Sequence, residues 1–444
     1  METSIELKHT PPARPTGHAF RWLLLLGSIF LSTYGLANWL ASLQNGVPSI
    51  VFDWEKDIPF VPWSIVPYWI IDGLYIASVF ACRTKDELNI HAKRLLSAQI
   101  IAVSVFILFP LRFAFSRPQI EGLPDLFFTI RLGLDQPFNQ APSLHIAFIV
   151  ILWILYIRHL PKILIWPFHL LSLSIGISVL TTYQHHFIDI PTGLLLGWFS
   201  VWLWPDDGRS PLKKAVHNHH FPKNLRIAAY FASAAAVIAV ISLVKGNLFL
   251  WFIWPAASLL LISSFYLWSG SNGFQKQSNG KINLAVHWLL FPYLFGVKIH
   301  SSIRKLKSDH AAYHIMDGVW IGHFPGIQDL KNEKYRAVVD LTSELSAPSS
   351  EIQWHSLPSL NLLPPHKHDL RHTVNLIEKL QTQGPILVTG SPGISRSAMA
   401  AAAWLAASRR TETIEEAVGM LQDIHPSFRF NPDEIDIINN AVKM

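Results

Sequence analysis

The sequence predicts a polytopic all-α membrane domain followed by a small α/β domain, and three observations lead there. Half of the 444 residues are apolar and only 15% are charged, with a mean hydropathy of +0.29, which is too apolar for a water-soluble chain of this size. Uncharged apolar stretches of membrane-crossing length recur through the first two thirds. From about Ser308, short β-type runs alternate with helical patterns at ordinary charge density. The net charge of +6 is small for such a length; it fits basic loops beside anionic lipid, and no nucleic-acid partner is expected. The single cysteine, Cys82, excludes a disulfide framework and a zinc site built on several thiolates.

Eight spans are expected, near Trp22–Leu43, Phe60–Cys82, Leu95–Phe115, Leu144–Ile157, Ile163–Tyr183, Ile190–Trp204, Ile227–Val244 and Leu248–Trp268. The fourth and sixth are short, and Asp72 interrupts the second. Many of the 17 tryptophans lie near span ends, as an aromatic belt requires. The N-terminal apolar run lacks a small-residue cleavage site and is read as a retained helix. Lys and Arg accumulate on cytoplasmic loops. Arg14 and Arg21, then Arg83, Lys85, Lys93 and Arg94, then Arg158 and Lys162, then Arg209, Lys213, Lys214 and Lys223 all fall on one side. The opposite loops carry Asp53, Glu55, Asp57, Glu121, Asp125 and Asp135 and should face outward. The apolar segment Ile282–Val297, broken by Pro292 and followed by Lys298, Arg304, Lys305 and Lys307, reads as an interfacial or re-entrant helix. That reading leaves the C-terminal domain on the cytoplasmic side.

Beyond it, strands are expected at Ala337–Leu341, Gln353–Leu357 and Pro385–Val388, and helices at Asp369–Gln381, Ser397–Ala407, Thr413–Asp423 and Pro432–Val442. The domain plan is a membrane domain over 20–205, a basic linker with two further spans over 206–270, an interfacial segment and linker over 271–307, and the α/β domain over 308–444.

The informative polar residues sit in or beside the outward loops. His145 lies in Pro142-Ser143-Leu144-His145, His185 and Asp189 lie in the next outward loop, and Arg112 and Arg117 leave the third span on the same face. Phosphoryl transfer through histidine needs this set. A ring nitrogen attacks, while a carboxylate orients the opposite N–H, and Asp189 is spaced i, i+4 from His185. A second histidine, His145, protonates the leaving alkoxide. Arginines hold the phosphate oxygens, and backbone N–H groups near Ser143, where a helix begins, add to the cradle. Either histidine alone would read as an interfacial polar residue. His186 reads as a bystander or substrate contact, and His217, His219 and His220 read as solvated near headgroups, not as metal ligands. A binding or regulatory protein that senses phosphate without reacting is the alternative. A transporter is weaker, because no inverted repeat is visible.

Pro142-Ser143-Leu144-His145 followed by His185-x-x-x-Asp189 resembles the type 2 phosphatidic acid phosphatase superfamily over roughly residues 60–205. The resemblance implies a six-helix membrane core, a phosphohistidine intermediate, a lipid phosphomonoester or phospholipid headgroup as substrate, and no metal or other cofactor. It matches His145 to the general acid, His185 to the nucleophile, Asp189 to the orienting acid and Arg117-Pro118 to the Arg-Pro of the first motif. The lysine of that motif falls on Pro110, the usual glycine of the second on Leu144, and the arginine of the third on Val179, although Ser178 is present. These departures look like the branch containing sphingomyelin and inositol-phosphorylceramide synthases, so hydrolysis and transfer both stay open.

The segment from Ile386 through Gly390, Gly393, Ser395, Arg396 and Ser397 reads as a strand, a Gly-containing loop and a helix, a ready anion nest. It resembles the His-Cys-x-x-Gly-x-x-Arg-Ser loop of dual-specificity phosphatases, and the whole chain is similar to bacterial fusions of the two phosphatase types. That likeness implies an inner-membrane protein with its lipid site on the periplasmic side. Thr389 stands for the loop's histidine, Gly390 for its cysteine and Asn361 for the family's aspartic acid. A cysteinyl-phosphate route needs that thiolate and acid. The C-terminal domain is therefore expected to be a pseudophosphatase that holds a phosphorylated ligand without turning it over; a folded remnant is the alternative.

Overall fold

A computed structural model describes residues 14–132, 137–207, 210–213, 221–332, 335–390, 395–426 and 428–443. The chain divides into two units, Met1–Gly208 and Arg209–Met444. Asp135, Lys214, His217, His219, His220 and Gly393 lie outside the described residues.

The first unit contains α1 (Thr16–Ser42), α2 (Ile65–Ala81), α3 (Lys85–Leu108), α4 (Leu123–Leu132), α5 (Leu144–His159), α6 (Lys162–Thr181) and α7 (Asp189–Leu203). Among the described residues of the whole chain, six helices are long and apolar enough to cross a membrane. Two of the eight expected spans fall short of that, α5 with 16 residues and α7 with 15. At about 1.5 Å per residue such helices reach roughly 24 Å, less than the hydrocarbon thickness. Burial explains why they can be short. They form the centre of the unit, with Ala147, Ile151, Leu152, Leu196 and Val201 nearly inaccessible, whereas α1 and α6 present Leu24, Leu31, Ile163, Trp166 and Leu170 outward.

α5 and α7 pack closely because two glycines permit it. A Cβ on Gly193 would lie 2.6 Å from the Ser143 carbonyl, and one on Gly197 would lie 2.8 Å from the Ala147 carbonyl. Gly193-x-x-x-Gly197 thus presents a small-residue face to α5, as in membrane helix pairs generally. The same approach brings together the N-termini of the two helices, where Ser143, His145 and Asp189 sit.

α3 begins ten residues before the expected Leu95. Thr84 caps it by accepting the Glu87 N–H, and within its polar N-terminal half His91 and Arg94 are buried and paired. Arg94 is 3% exposed and donates to the Trp204 carbonyl at 2.9 Å. Its Nη2 lies 3.1 Å from Asp206, which also meets Arg158 at 2.6 Å. Hydropathy alone misses this start, because buried charges look like loop residues until their partners are known.

The second unit begins with α8 (Phe221–Lys245) and α9 (Ile253–Ser264); a 3-10 turn before α9 and π and 3-10 turns after it extend the helical stretch over Asn247–Phe274, and α10 (Leu284–Leu289) and α11 (Phe291–Leu306) follow. Pro292 stands in the first turn of α11, where its missing N–H costs nothing. The segment expected to be interfacial is therefore two helices and not one. α11 exposes Phe291, Phe295, Ile299 and Ile303 along one stripe.

Five strands follow: β1 (Ala312–Met316), β2 (Val319–His323), β3 (Ala337–Thr342), β4 (Gln353–Ser359) and β5 (Ile386–Gly390). Their order is β1-β2-β5-β3-β4, antiparallel only between β1 and β2. The helices are α12 (Ile327–Asn332), α13 (Lys367–Gln381), α14 (Ser395–Ala407), α15 (Ile414–Ile424) and α16 (Pro432–Val442). Ala400–Ala403 are fully buried on α14, which explains the alanine run: only a methyl fits between the sheet and the neighbouring helices.

The domain reaches further back than Ser308. Ser278 and Gly280 bond to Ser356 and Ala347. Gly280 has φ +76, and a Cβ there would strike the Trp354 indole. Lys276 is buried against Asp340, with both side chains fully covered. Part of the stretch read as linker thus belongs to the sheet's packing.

Candidate active site

In the first unit the loop before α7 turns back so that His185 Nδ1 lies 3.0 Å from Asp189 Oδ2. The pair does not share a helical face, as i, i+4 spacing suggested. His185 precedes the helix and Asp189 is its first residue. Asp189 also accepts the His186 N–H at 3.0 Å, so the carboxylate closes the loop as well as meeting the ring. With the Nδ1 proton directed at Asp189, Nε2 carries the lone pair. It lies 3.3 Å from Ser143 Oγ, whose hydroxyl can donate to it. Ser143 is also the cap of α5.

His145, in the first turn of α5, has its ring centroid 6.0 Å from that of His185 and stacks on buried Tyr68 at 4.3 Å. Arg117 donates to the Tyr183 carbonyl at 3.4 Å and lies over the Phe128 ring at 4.7 Å. Arg112 and Arg117 line a cavity of about 410 Å³ that His185 also lines, together with Tyr34, Asn139 and Gln140. A second cavity, about 340 Å³, opens from His145 and His185 between Phe30, Leu31, Ile76 and Phe148, with Asp72 on its wall. His185 therefore stands where a polar cavity meets an apolar one.

Sequence reasoning singled out the two histidines, Asp189, Ser143 and both arginines, and the fold brings all six to this place. It missed Glu55, Tyr68, Gly193 and Gly197. The glycine pair carried a legible signal in its four-residue spacing inside an apolar run. Glu55 carried none, because its partner His186 is far away in sequence. It is 2% exposed and accepts from His186 Nδ1 at 2.9 Å and from the Phe187 and Phe52 N–H groups at 3.0 and 2.8 Å. Burial pushes its carboxyl up, but these three donors outweigh that and hold it below the usual glutamate range.

In the second unit β5 ends at Gly390, whose neighbour across β2 is His323, and α14 starts at Ser395. Ser395 Oγ donates to Glu434 at 3.4 Å. Ser397 is fully buried, and Arg396 is 6% exposed. Arg396 Nη1 donates to the Leu341 and Ser359 carbonyls at 3.0 and 2.6 Å. Asn361 is tied down as well. Its N–H donates to Glu344 at 3.0 Å, its carbonyl accepts from the Tyr266 hydroxyl at 2.8 Å, and its side chain accepts the Leu362 N–H at 2.9 Å. Glu344 is raised above the usual carboxylate range by burial, with Arg396 opposing the shift.

β5 ends at Gly390 and α14 starts at Ser395, with Arg396 in its first turn, beside a mostly parallel sheet. Among solved structures, Tk-PTP in its active form is 20% identical, over 31% of this chain and 99% of its own, with a TM-score of 0.28. PTPMT1 in complex with PI(5)P is 18% identical, over 30% of this chain and 96% of its own, with a TM-score of 0.27. Human DUSP28 is 17% identical, over 31% of this chain and 95% of its own, also with a TM-score of 0.27. No protein-family model matches the chain, and no curated protein matches it in sequence.

Proposed function

We propose that the chain is a membrane lipid phosphatase or phosphotransferase whose chemistry lies in the first unit. The observation that carries this is the position of His185, between an arginine-lined polar cavity and an apolar one. An amphiphile with a phosphate at the junction fits both. Its phosphoryl oxygens meet Arg112 and Arg117, and its apolar part lies among Phe30, Leu31 and Phe148.

His185 Nε2 attacks phosphorus while the bond to the leaving oxygen breaks and His145 gives that oxygen a proton. Asp189 holds the Nδ1 proton and stabilises the imidazolium. In the second half, water or an alcohol attacks the phosphohistidine, His145 takes its proton, and the P–N bond breaks. From a phosphomonoester, water yields free phosphate and an alcohol yields a new phosphomonoester; from a phosphodiester headgroup, water yields a phosphomonoester and an alcohol yields a new phosphodiester. No metal or other cofactor has a part in these steps. By the distribution of basic loops, the site opens on the outer side of the membrane.

We propose further that the C-terminal domain is a pseudophosphatase. Gly390 supplies no nucleophile and Asn361 no acid, and Arg396 spends donors on backbone carbonyls. A phosphorylated ligand there has to compete with those carbonyls.

Purified protein incubated with labelled lipid phosphomonoesters and alcohol acceptors tests the main reading. Release of phosphate, or a new headgroup lipid, is expected from the wild type and lost in His185→Ala. Equal turnover by that variant would overturn it.

A further inference from the structure

Three connecting segments of the first unit converge on one imidazole. His186 is 2% exposed. Its Nε2 accepts the backbone N–H of Ala114 at 3.0 Å, and its Nδ1 lies 2.9 Å from Glu55 Oε2. The ring of Phe113 stacks on it at 4.4 Å, and that of Phe115 meets it edge-on at 5.2 Å. A backbone N–H can only donate, so Nε2 must be the unprotonated nitrogen and Nδ1 must carry the proton given to Glu55. The ring is a neutral bridge between a carboxylate on the 52–57 segment and the main chain of the 110–121 segment.

That second segment has no regular structure, yet it carries both arginines of the polar cavity. Its backbone donors must be satisfied elsewhere. Arg112 N–H goes to the Pro48 carbonyl and Phe113 N–H to the Pro137 carbonyl, each at 2.8 Å. Ala114 N–H, midway between the arginines, goes to His186. The backbone N–H of His186 meanwhile donates to Asp189, so this one residue touches both the arginine segment and the carboxylate that orients His185.

We infer that Glu55 and His186 are positioning residues that set the arginine-bearing segment 112–117 at its distance from His185. The inference rests on the phosphoryl-transfer reading of the site. Glu55 fixes the tautomer, and the tautomer makes Nε2 an acceptor for Ala114. His186 is not among the residues lining either cavity beside His185.

Two amide substitutions separate the two ends of the bridge. The amide of His186→Asn falls at the Nδ1 position, keeping the bond to Glu55 and losing Ala114. The amide of His186→Gln falls at the Nε2 position, keeping an acceptor for Ala114 and losing Glu55. Affinity for inorganic phosphate, measured on the full-length protein in detergent with Arg117→Ala as reference, reads the arginine segment without requiring turnover.

His186→Asn is expected to weaken phosphate binding about tenfold, the equivalent of one hydrogen bond. His186→Gln is expected to stay within about threefold of the wild type, with KM following the same order and kcat changing less. Wild-type affinity in His186→Asn, or equal weakening in both variants in proportion to lowered thermal stability, would overturn the inference. Turnover that survives His185→Ala would sink the phosphoryl-transfer reading alone, because the binding order still decides the role of His186.

Discussion

At the scale of single residues, burial decides what each polar group can do. His185 and Asp189 are almost inaccessible, so their hydrogen bond forms where water does not compete and holds one tautomer. Glu55 gives this burial a pH signature. Its folded carboxyl titrates below the usual value of 4.5, so the stability it adds is fully present above 4.5 and is lost as the pH falls through its lower folded value. Thermal unfolding of the wild type should therefore show an acid-side loss below pH 4.5 that is smaller in Glu55→Gln; identical profiles would contradict this. Arg396 invites the opposite test. It faces buried Glu344 and two carbonyls, so Arg396→Ala should lower the unfolding temperature of the full chain, and an unchanged temperature would show that its charge is not needed there.

At the scale of elements, the α5–α7 pair sets the site, because its close approach brings Ser143, His145, His185 and Asp189 within reach. Gly193→Val puts a branched side chain against the Ser143 carbonyl. Such overpacking costs about 1 to 3 kcal/mol and moves the two helix N-termini apart, so the variant should lose His185-dependent turnover even where it stays folded. Normal turnover would show that the approach is not required. In the second unit, Lys276 closes a segment over the sheet. Burial pushes its ammonium down against the pull of Asp340. Lys276→Ala strands that carboxylate, which typically costs about 3 to 5 kcal/mol, and denaturant unfolding should show it. Short helices and strands with a clear period were legible in the sequence. β3 to β5 and α13 to α16 fall within a few residues of expectation: β3 and β5 are mostly apolar runs buried on both faces, and the helices α13, α15 and α16 each bury one face. The start of α3 and the packing of residues 275–282 were not legible, because both depend on charges whose partners lie far away in the chain.

At the scale of the whole molecule, the chain joins a helical unit, with His185 between two cavities, to a unit whose β5 and α14 carry Gly390 and Arg396 and no thiol. The lone cysteine is consistent with that division. Cys82 is buried at the end of α2, far in sequence from Gly390. The candidate site was legible as residue types and spacing, since histidine, carboxylate and arginine on successive loops suit one chemistry. Its supporting parts were not, because Glu55, Tyr68 and the glycine pair acquire meaning only through contacts across the fold. The central claim is that His185 carries the phosphoryl group. Brief mixing of the purified protein with a lipid phosphomonoester labelled in its phosphate, followed by alkaline quenching and peptide mapping, tests it most directly. The account predicts acid-labile label on His185, absent from His185→Ala. Steady turnover with no label on that residue, or with label on another, would contradict it.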